Sequence, residues 1–323
     1  MTHASTPIAI RNLPICRSDV AAIDPDLMMG FDGARPFETP EAARTAAYQA
    51  ALSGGPVELG EDGGDDGFIL IRGVAIVPVH GVLMANESRI SDWLGWATYQ
   101  GLIRIFDTLA ARDDVTAVVC HFHSPGGDAY GVEEVARAMG GLSVPIIGWV
   151  DAMAASAAYW LASQSSSITV DLSSRVGSVG VMQLNHWPVA EDYFGEREVI
   201  ITSPFAKAKR PNPTTDEGRA LIMPELAELE TRMHASVAAG RGVEVEDFRR
   251  RTALTEDPTT GGAVFAGEAA VERGLADLVE PRGDVLSRIL AEYGADPDSS
   301  ARPRPRAQSA QALAAAAAAR AAI

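Results

Sequence analysis

From Gly73 onward, short β-branched runs alternate with segments whose apolar residues recur every three or four positions. Gly73-Val-Ala-Ile-Val-Pro-Val-His-Gly81 reads as a strand ending in a turn, and Val115–Phe122 as a second strand. Between them Leu102, Ile105, Phe106 and Leu109 share one face of a helix over Thr98–Arg112. The same reasoning predicts a helix at Ala129–Met139, a strand at Val144–Val150, a helix at Ala154–Ser163 and a strand at Ser167–Val170. Val179–Met182 and Glu198–Ile201 read as further strands. A long amphipathic helix follows at Thr215–Ala239, then helices at Val245–Thr252, at Ala266–Gly274 with a closing glycine, and after Arg282. Strands alternating with helices make an α/β domain.

The flanks carry a different texture. Up to residue 67 the chain is irregular, with Pro7, Pro14, Pro25, Pro36 and Pro40 scattered through it. A short helix is expected over Pro40–Leu52 with Thr39 as its cap, before an acidic, glycine-rich linker at Gly60–Gly67. Residues 1–67 are thus an N-terminal arm, 68–282 the α/β domain, and 283–323 a terminal helix with a flexible tail rich in Pro, Arg and Ala.

Composition narrows the function classes. A net charge of −16 argues against nucleic acid as a partner, because phosphate contacts need clustered Lys and Arg. Cys16 and Cys120 are the 2 cysteines and form no CxxC, so neither a disulfide framework nor a zinc site is indicated. The start of the chain lacks the basic and apolar regions of a signal peptide. The window Val144–Ala162 is apolar enough to suggest a membrane, but Asp151 and its small residues fit a buried strand, turn and helix better. A soluble, intracellular protein without a membrane partner is expected.

That same window holds the chemistry. Ser156 is placed in the first turn of an Ala-rich helix, near unpaired N–H groups that favour developing negative charge. As a nucleophile it needs an oxyanion hole and a base; as a cap or small packing residue it needs neither. Ser124-Pro-Gly-Gly127 lies between strand and helix, and its paired glycines expose backbone N–H groups. No Gly-Lys-Ser/Thr follows, so it is not a P-loop. Of the histidines, His80, His121, His123, His186 and His234 lie in no catalytic motif. His121 and His123 share a strand face as metal ligands do, but no third ligand is evident, so no metal or other cofactor is assigned. Tyr159 occupies the position where an SxxK motif would have lysine. Lys207 and Lys209 are the only lysines, and either is a surface residue or a base. A base must be desolvated from its ordinary pKa of about 10.4 to about 7–8.

The order of these segments resembles the signal peptide peptidase A family of serine peptidases. The residues that carry the resemblance are Ala75–Gly81, Ser124–Gly127, Asp151–Tyr159, Gly177-Ser-Val-Gly-Val181, Lys207 and the closing Val264–Asp277. Asn12-Leu13-Pro14 and Tyr99–Arg104 are similar to the phage prohead branch of that family, the head-maturation proteases. Residues 296–323 are too short for most of the scaffold segment known in that branch, so a built-in scaffold is not expected. The resemblance implies a Clp-protease/crotonase-like fold and a Ser–Lys dyad of Ser156 and Lys207. Lys207 is placed by its spacing of 51 residues from Ser156 (207 − 156), with Lys209 as the alternative. It further implies an oxyanion hole at Gly127 and Gly126, and Ser178 as a residue orienting the lysine. Expected substrates are phage capsid, scaffold and portal proteins inside the assembling prohead, in the cytoplasm of a bacterial host. A homo-oligomer is expected. Three other readings compete: a peptidase of signal-peptide remnants, a catalytically idle capsid component, and an acyl-CoA enzyme of the crotonase fold.

Overall fold

In a computed structural model, residues 67–88, 91, 95–185, 187 and 199–295 are described. The expected helix at Pro40–Leu52, most of the N-terminal arm, the tail after residue 295, His186 and Glu198 lie outside them.

An 8-stranded sheet runs in the order β1 (Ile69–Ile71), β2 (Val74–Leu83), β3 (Ala117–Gly127), β4 (Ile146–Ala155), β5 (Ser167–Val170) and β8 (Leu278–Val279). From β2 to β8 all neighbours are parallel, and β1 adds an antiparallel edge. Two short strands leave this path: β6 (Arg175–Gly177) pairs parallel with β4, and β7 (Val264–Ala266) pairs antiparallel with β6. The central strands are buried on both faces, as parallel strands are, which is why their sequences read as continuous apolar runs.

One face of the sheet is covered by α1 (Tyr99–Ala110), α2 (Val132–Gly140), α3 (Ala157–Ala162) and α4 (Asp216–Gly240). Leu102, Phe106 and Leu109 of α1 repeat at helical spacing in this core, with Val132, Val135 and Met139 of α2 beside them. The helix α5 (Val245–Thr252) joins through Phe248, and α6 (Gly267–Glu272) through Ala270. On the opposite face α7 (Arg282–Tyr293) lays Val285 and Ile289 against Val74, Ile76, Ala117, Val119, Ile147 and Trp149. Among the described residues no helix is long and apolar enough to cross a membrane.

Several expected boundaries shift for identifiable reasons. β4 does not end at Val150 but runs on to Ala155, because Met153, Ala154 and Ala155 pair with Arg175, Val176 and Gly177. That ladder overrides the helix preference of the alanines, and the helix begins only at Ala157. Likewise Ser124–Gly127 is the end of β3 rather than a turn, and α2 starts at Val132 behind Gly131, whose φ is +96°. Val179–Met182 is not a strand; Gly177 and Gly180 both have positive φ and carry the chain off the sheet. Residues 199–201 are also outside any strand. The long helix α4 buries Leu229, Met233 and Val237, but its first turns leave Leu221 and Met223 exposed.

Where α7 meets the sheet, the apolar face gives way to a polar cluster. His121 stacks on Trp149 with ring centroids 4.3 Å apart. Its Nδ1 lies 3.1 Å from His80 Nε2, and its Nε2 lies 3.5 Å from Asp151 Oδ2, which also meets Arg282 at 3.0 Å. Burial, and then the neighbouring His121, His123 and Arg282 charges, hold His80 well below the usual histidine range. Burial lowers His121 too, with Asp151 opposing. Burial alone would raise Asp151, but its His121 and Arg282 partners bring it below the ordinary value.

The folded protein therefore binds fewer protons than the unfolded chain once pH falls below the unfolded histidine value of about 6.5. The stability these histidines contribute is present above that pH and lost below it, towards their lowered folded values. Carboxylates titrate lower, near about 4. The melting temperature is thus expected to fall between about pH 7 and pH 5. In His121→Gln that fall is expected to shrink; an equal fall in both proteins would remove the cluster as its source.

Candidate active site

Ser156 sits at the join of β4 and α3. The end of β4 is gripped on both sides: Ala154 pairs with Ser124 of β3 and with Val176 of β6. Ser156 N–H donates to Gly177 O at 2.9 Å, and Ser156 O accepts Trp160 N–H at 3.0 Å. Between these two bonds the chain must reverse from strand to helix within one residue. Ser156 does so with φ +53° and ψ −124°. Apart from Arg72 and Ser178, it is the only non-glycine among the described residues with positive φ. Such a conformation costs about 1–3 kcal/mol and persists only where the surroundings impose it. The hydroxyl makes no capping bond to α3, so the reading as a helix cap fails. Instead the side chain is partly exposed at a strained strand-to-helix turn, the geometry that presents a nucleophile.

The glycines of β3 lie against it. Gly126 has φ +99°, and a methyl group there would fall 2.7 Å from Ala155 O, 2.7 Å from Ser156 Cβ and 3.0 Å from Ala157 N. Gly127 cannot carry a side chain either, since its Cβ would lie 1.9 Å from Leu83 O. Asp128 N–H donates to Leu83 O at 2.9 Å. Gly126 N–H donates to Ser124 Oγ at 3.1 Å.

The structure adds a residue the sequence reading passed over: Ala157, whose N–H begins α3 beside Gly126. Its side chain carries no signal, and only its place immediately after Ser156 points to it.

Ser178 follows Gly177, the residue whose carbonyl holds Ser156 N–H. It is buried, with φ +52°, and its N–H donates to Ala263 O at 2.7 Å. Lys207 opens a single 3-10 turn, Lys207–Lys209, and its side chain is 71% exposed. Its Nζ meets Glu217 Oε1 at 3.0 Å. Lys209 is exposed as well. Among the described residues no hydrogen bond joins either lysine to Ser156. The structure therefore brings Ser156, Gly126, Gly127 and the Gly177-Ser178 turn together, and leaves both lysines at the surface of the single chain.

His121 and His123 do not form the paired ligands their spacing suggested. His121 is buried against Trp149 whereas His123 is exposed. Among the described residues no group of three or more His, Cys, Asp or Glu is arranged to hold a metal ion.

Residues 142–295 match peptidase family S49. The chain is 30% identical to the head-tail preconnector protein GP5 of Enterobacteria phage P21, over 68% of this chain and 43% of that protein. It is 25% identical to capsid assembly protease C of Escherichia phage lambda, over 70% of this chain and 52% of that protein. Protease 4 of Haemophilus influenzae is 27% identical over 67% of this chain and 34% of its own length. The chain thus spans about half the length of the two phage relatives. The fold is the Clp-protease/crotonase-like α/β fold.

Proposed function

From residues 142–295, which belong to peptidase family S49, we propose that the chain is a serine endopeptidase with Ser156 as its nucleophile. The observation that carries this reading is the strained, uncapped Ser156 held beside Gly126. Ser156 Oγ attacks the peptide carbonyl carbon and transfers its proton to the base. The tetrahedral oxyanion lies towards the N–H groups of Gly127 and Ala157, while Gly126 N–H is engaged by Ser124 and its missing side chain lets the strand approach. Collapse of the intermediate expels the amine, which takes the proton, and water then releases the acyl-enzyme by the same steps in reverse order.

Lys207 is the proposed base, on its spacing from Ser156, with Ser178 orienting it. To act, its ammonium must leave Glu217 and lose water. Val199, Ile201 and Phe205, which precede it, are 72%, 88% and 103% exposed. Packing of this apolar segment against another copy of the chain would supply the desolvation, so the active form is a homo-oligomer. Lys207→Ala is expected to reduce cleavage about 10²–10⁴-fold, and Lys209→Ala to leave it intact. Cleavage lost only in Lys209→Ala moves the base by two residues.

The substrates are proposed to be capsid, scaffold and portal proteins of a phage prohead, assembled in the host cytoplasm. The support is the naming of the P21 and lambda relatives. Co-expression of the chain with neighbouring capsid genes, followed by intact-mass analysis, tests it. One observation favours a second reading, a catalytically idle assembly component: the exposed Lys207 paired with Glu217. Unchanged masses with the wild-type chain would support that reading instead.

A further inference from the structure

The end of β3 is fastened by side chains that the peptidase chemistry does not use. Ser124 is fully buried, and its hydroxyl makes two bonds at once. It donates to Gly81 O at 2.6 Å and accepts from Gly126 N–H at 3.1 Å. Gly81 is itself held in place: its φ is +71°, and a Cβ there would lie 2.1 Å from the Trp96 ring. At the far end of the segment Tyr99 OH donates to Asp128 O, and Asp128 Oδ2 accepts Ala85 N–H at 2.9 Å. Register along β2 and β3 slips between His80 and Val82, where Gly81 has no direct partner on β3. Pairing resumes beyond the slip, Val82 with Gly126 and Leu83 with Gly127, which leaves Ser124 and Pro125 as the residues of β3 without a register partner on β2. Ser124 bridges that slip.

We propose that Ser124 is a positioning residue for the acyl-transfer site. It takes up the Gly126 N–H and ties it to Gly81 O, which sets the direction of the neighbouring Gly127 N–H beside Ser156. The inference rests on the peptidase reading and assigns Ser124 no contact with substrate. Without the hydroxyl, Gly126 N–H loses its buried acceptor and Gly81 O its donor, and the stretch of β3 at the slip loses its side-chain tie to β2. Oxyanion donors act only when they are aimed beforehand, and a misplacement of about 1 Å can cost about 10²-fold in rate.

The test is the rate at which a fluorophosphonate labels Ser156, since phosphonylation uses the nucleophile and the oxyanion site but needs no known substrate. Wild type, Ser156→Ala, Ser124→Ala, Ser124→Cys and Ser124→Thr would be compared as full-length chains. Ser124→Cys preserves the volume while offering only a weak donor and acceptor, so it decides the matter where Ser124→Ala fails to fold. Expected are rates about 10–100-fold lower in Ser124→Ala and Ser124→Cys, with recovery in Ser124→Thr. On a cleavable peptide the loss is expected in kcat with KM unchanged, a split that a general loss of packing would not give. Labelling of folded Ser124→Cys at the wild-type rate overturns the role of Ser124 and leaves the peptidase reading standing. Absence of labelling in the wild type, with the protein folded, overturns both.

Discussion

Ser156→Ala is expected to abolish peptide cleavage, a loss on the order of 10⁶-fold if Ser156 is the nucleophile. The protein should remain folded, because the bonds that hold the turn, Ser156 N–H to Gly177 O and Trp160 N–H to Ser156 O, are backbone bonds. Ser156→Gly separates the chemical role from the conformational one. Glycine adopts φ +53° without the steric cost that serine bears there, about 1–3 kcal/mol, and gives back about 0.5–1 kcal/mol as unfolded-chain entropy. A net gain of about 1 kcal/mol is expected, visible as a rise of about 2–4 °C in melting temperature. Both variants should be inactive, and only the glycine variant more stable. Thermal melts and intact-mass assays on the same preparations check this. Equal stability of the two would mean that the hinge is not strained.

Gly126→Ala is expected to produce the second large effect. The added methyl meets two backbone atoms, Ala155 O and Ala157 N, and Ser156 Cβ, and none of these is the movable end of a flexible side chain. Alanine at φ +99° is strained as well. β3 and the hinge must move apart, which displaces Ser156 from the N–H groups proposed to hold the oxyanion. Fluorophosphonate labelling is expected to slow by about 10²-fold or more, with about 1–3 kcal/mol of destabilisation. A variant that labels at the wild-type rate would show that the glycine is not what holds the two segments together.

The parts of the site that were legible in the sequence are those whose chemistry and contacts are nearly local. Ser156 and the two glycines stand out because small residues crowd around them, and close approach of backbones requires small residues. The hinge itself was misplaced: Ala154 and Ala155 prefer helix, and their pairing with Val176 and Gly177, with Ser124 on the other side of Ala154, keeps them extended. That pairing joins residues more than twenty positions apart, and no periodicity announces it. Ser124 was visible as part of a motif, but its two bonds depend on the slip between β2 and β3. The His80–His121–Asp151 cluster was not legible for the same reason. It exists because the register sets Pro78 beside His121 and His121 beside Trp149. One residue of slip would turn either histidine to the opposite face.

The dependence of the β4 end on β6 and β7 reaches into the order in which the molecule is made. Gly177, which receives Ser156 N–H, is paired with Val264, and Ser178 N–H is held by Ala263 O. Residues more than a hundred positions downstream thus complete the seat of Ser156. A chain emerging from the ribosome gathers its earlier strands first, but it has no β7 until residue 266 is free. Up to then the hinge lacks its backing and Ser156 can relax out of its strained turn. On the proposed peptidase reading, the growing polypeptide would thereby be kept from cutting itself or its neighbours until β7 has been translated.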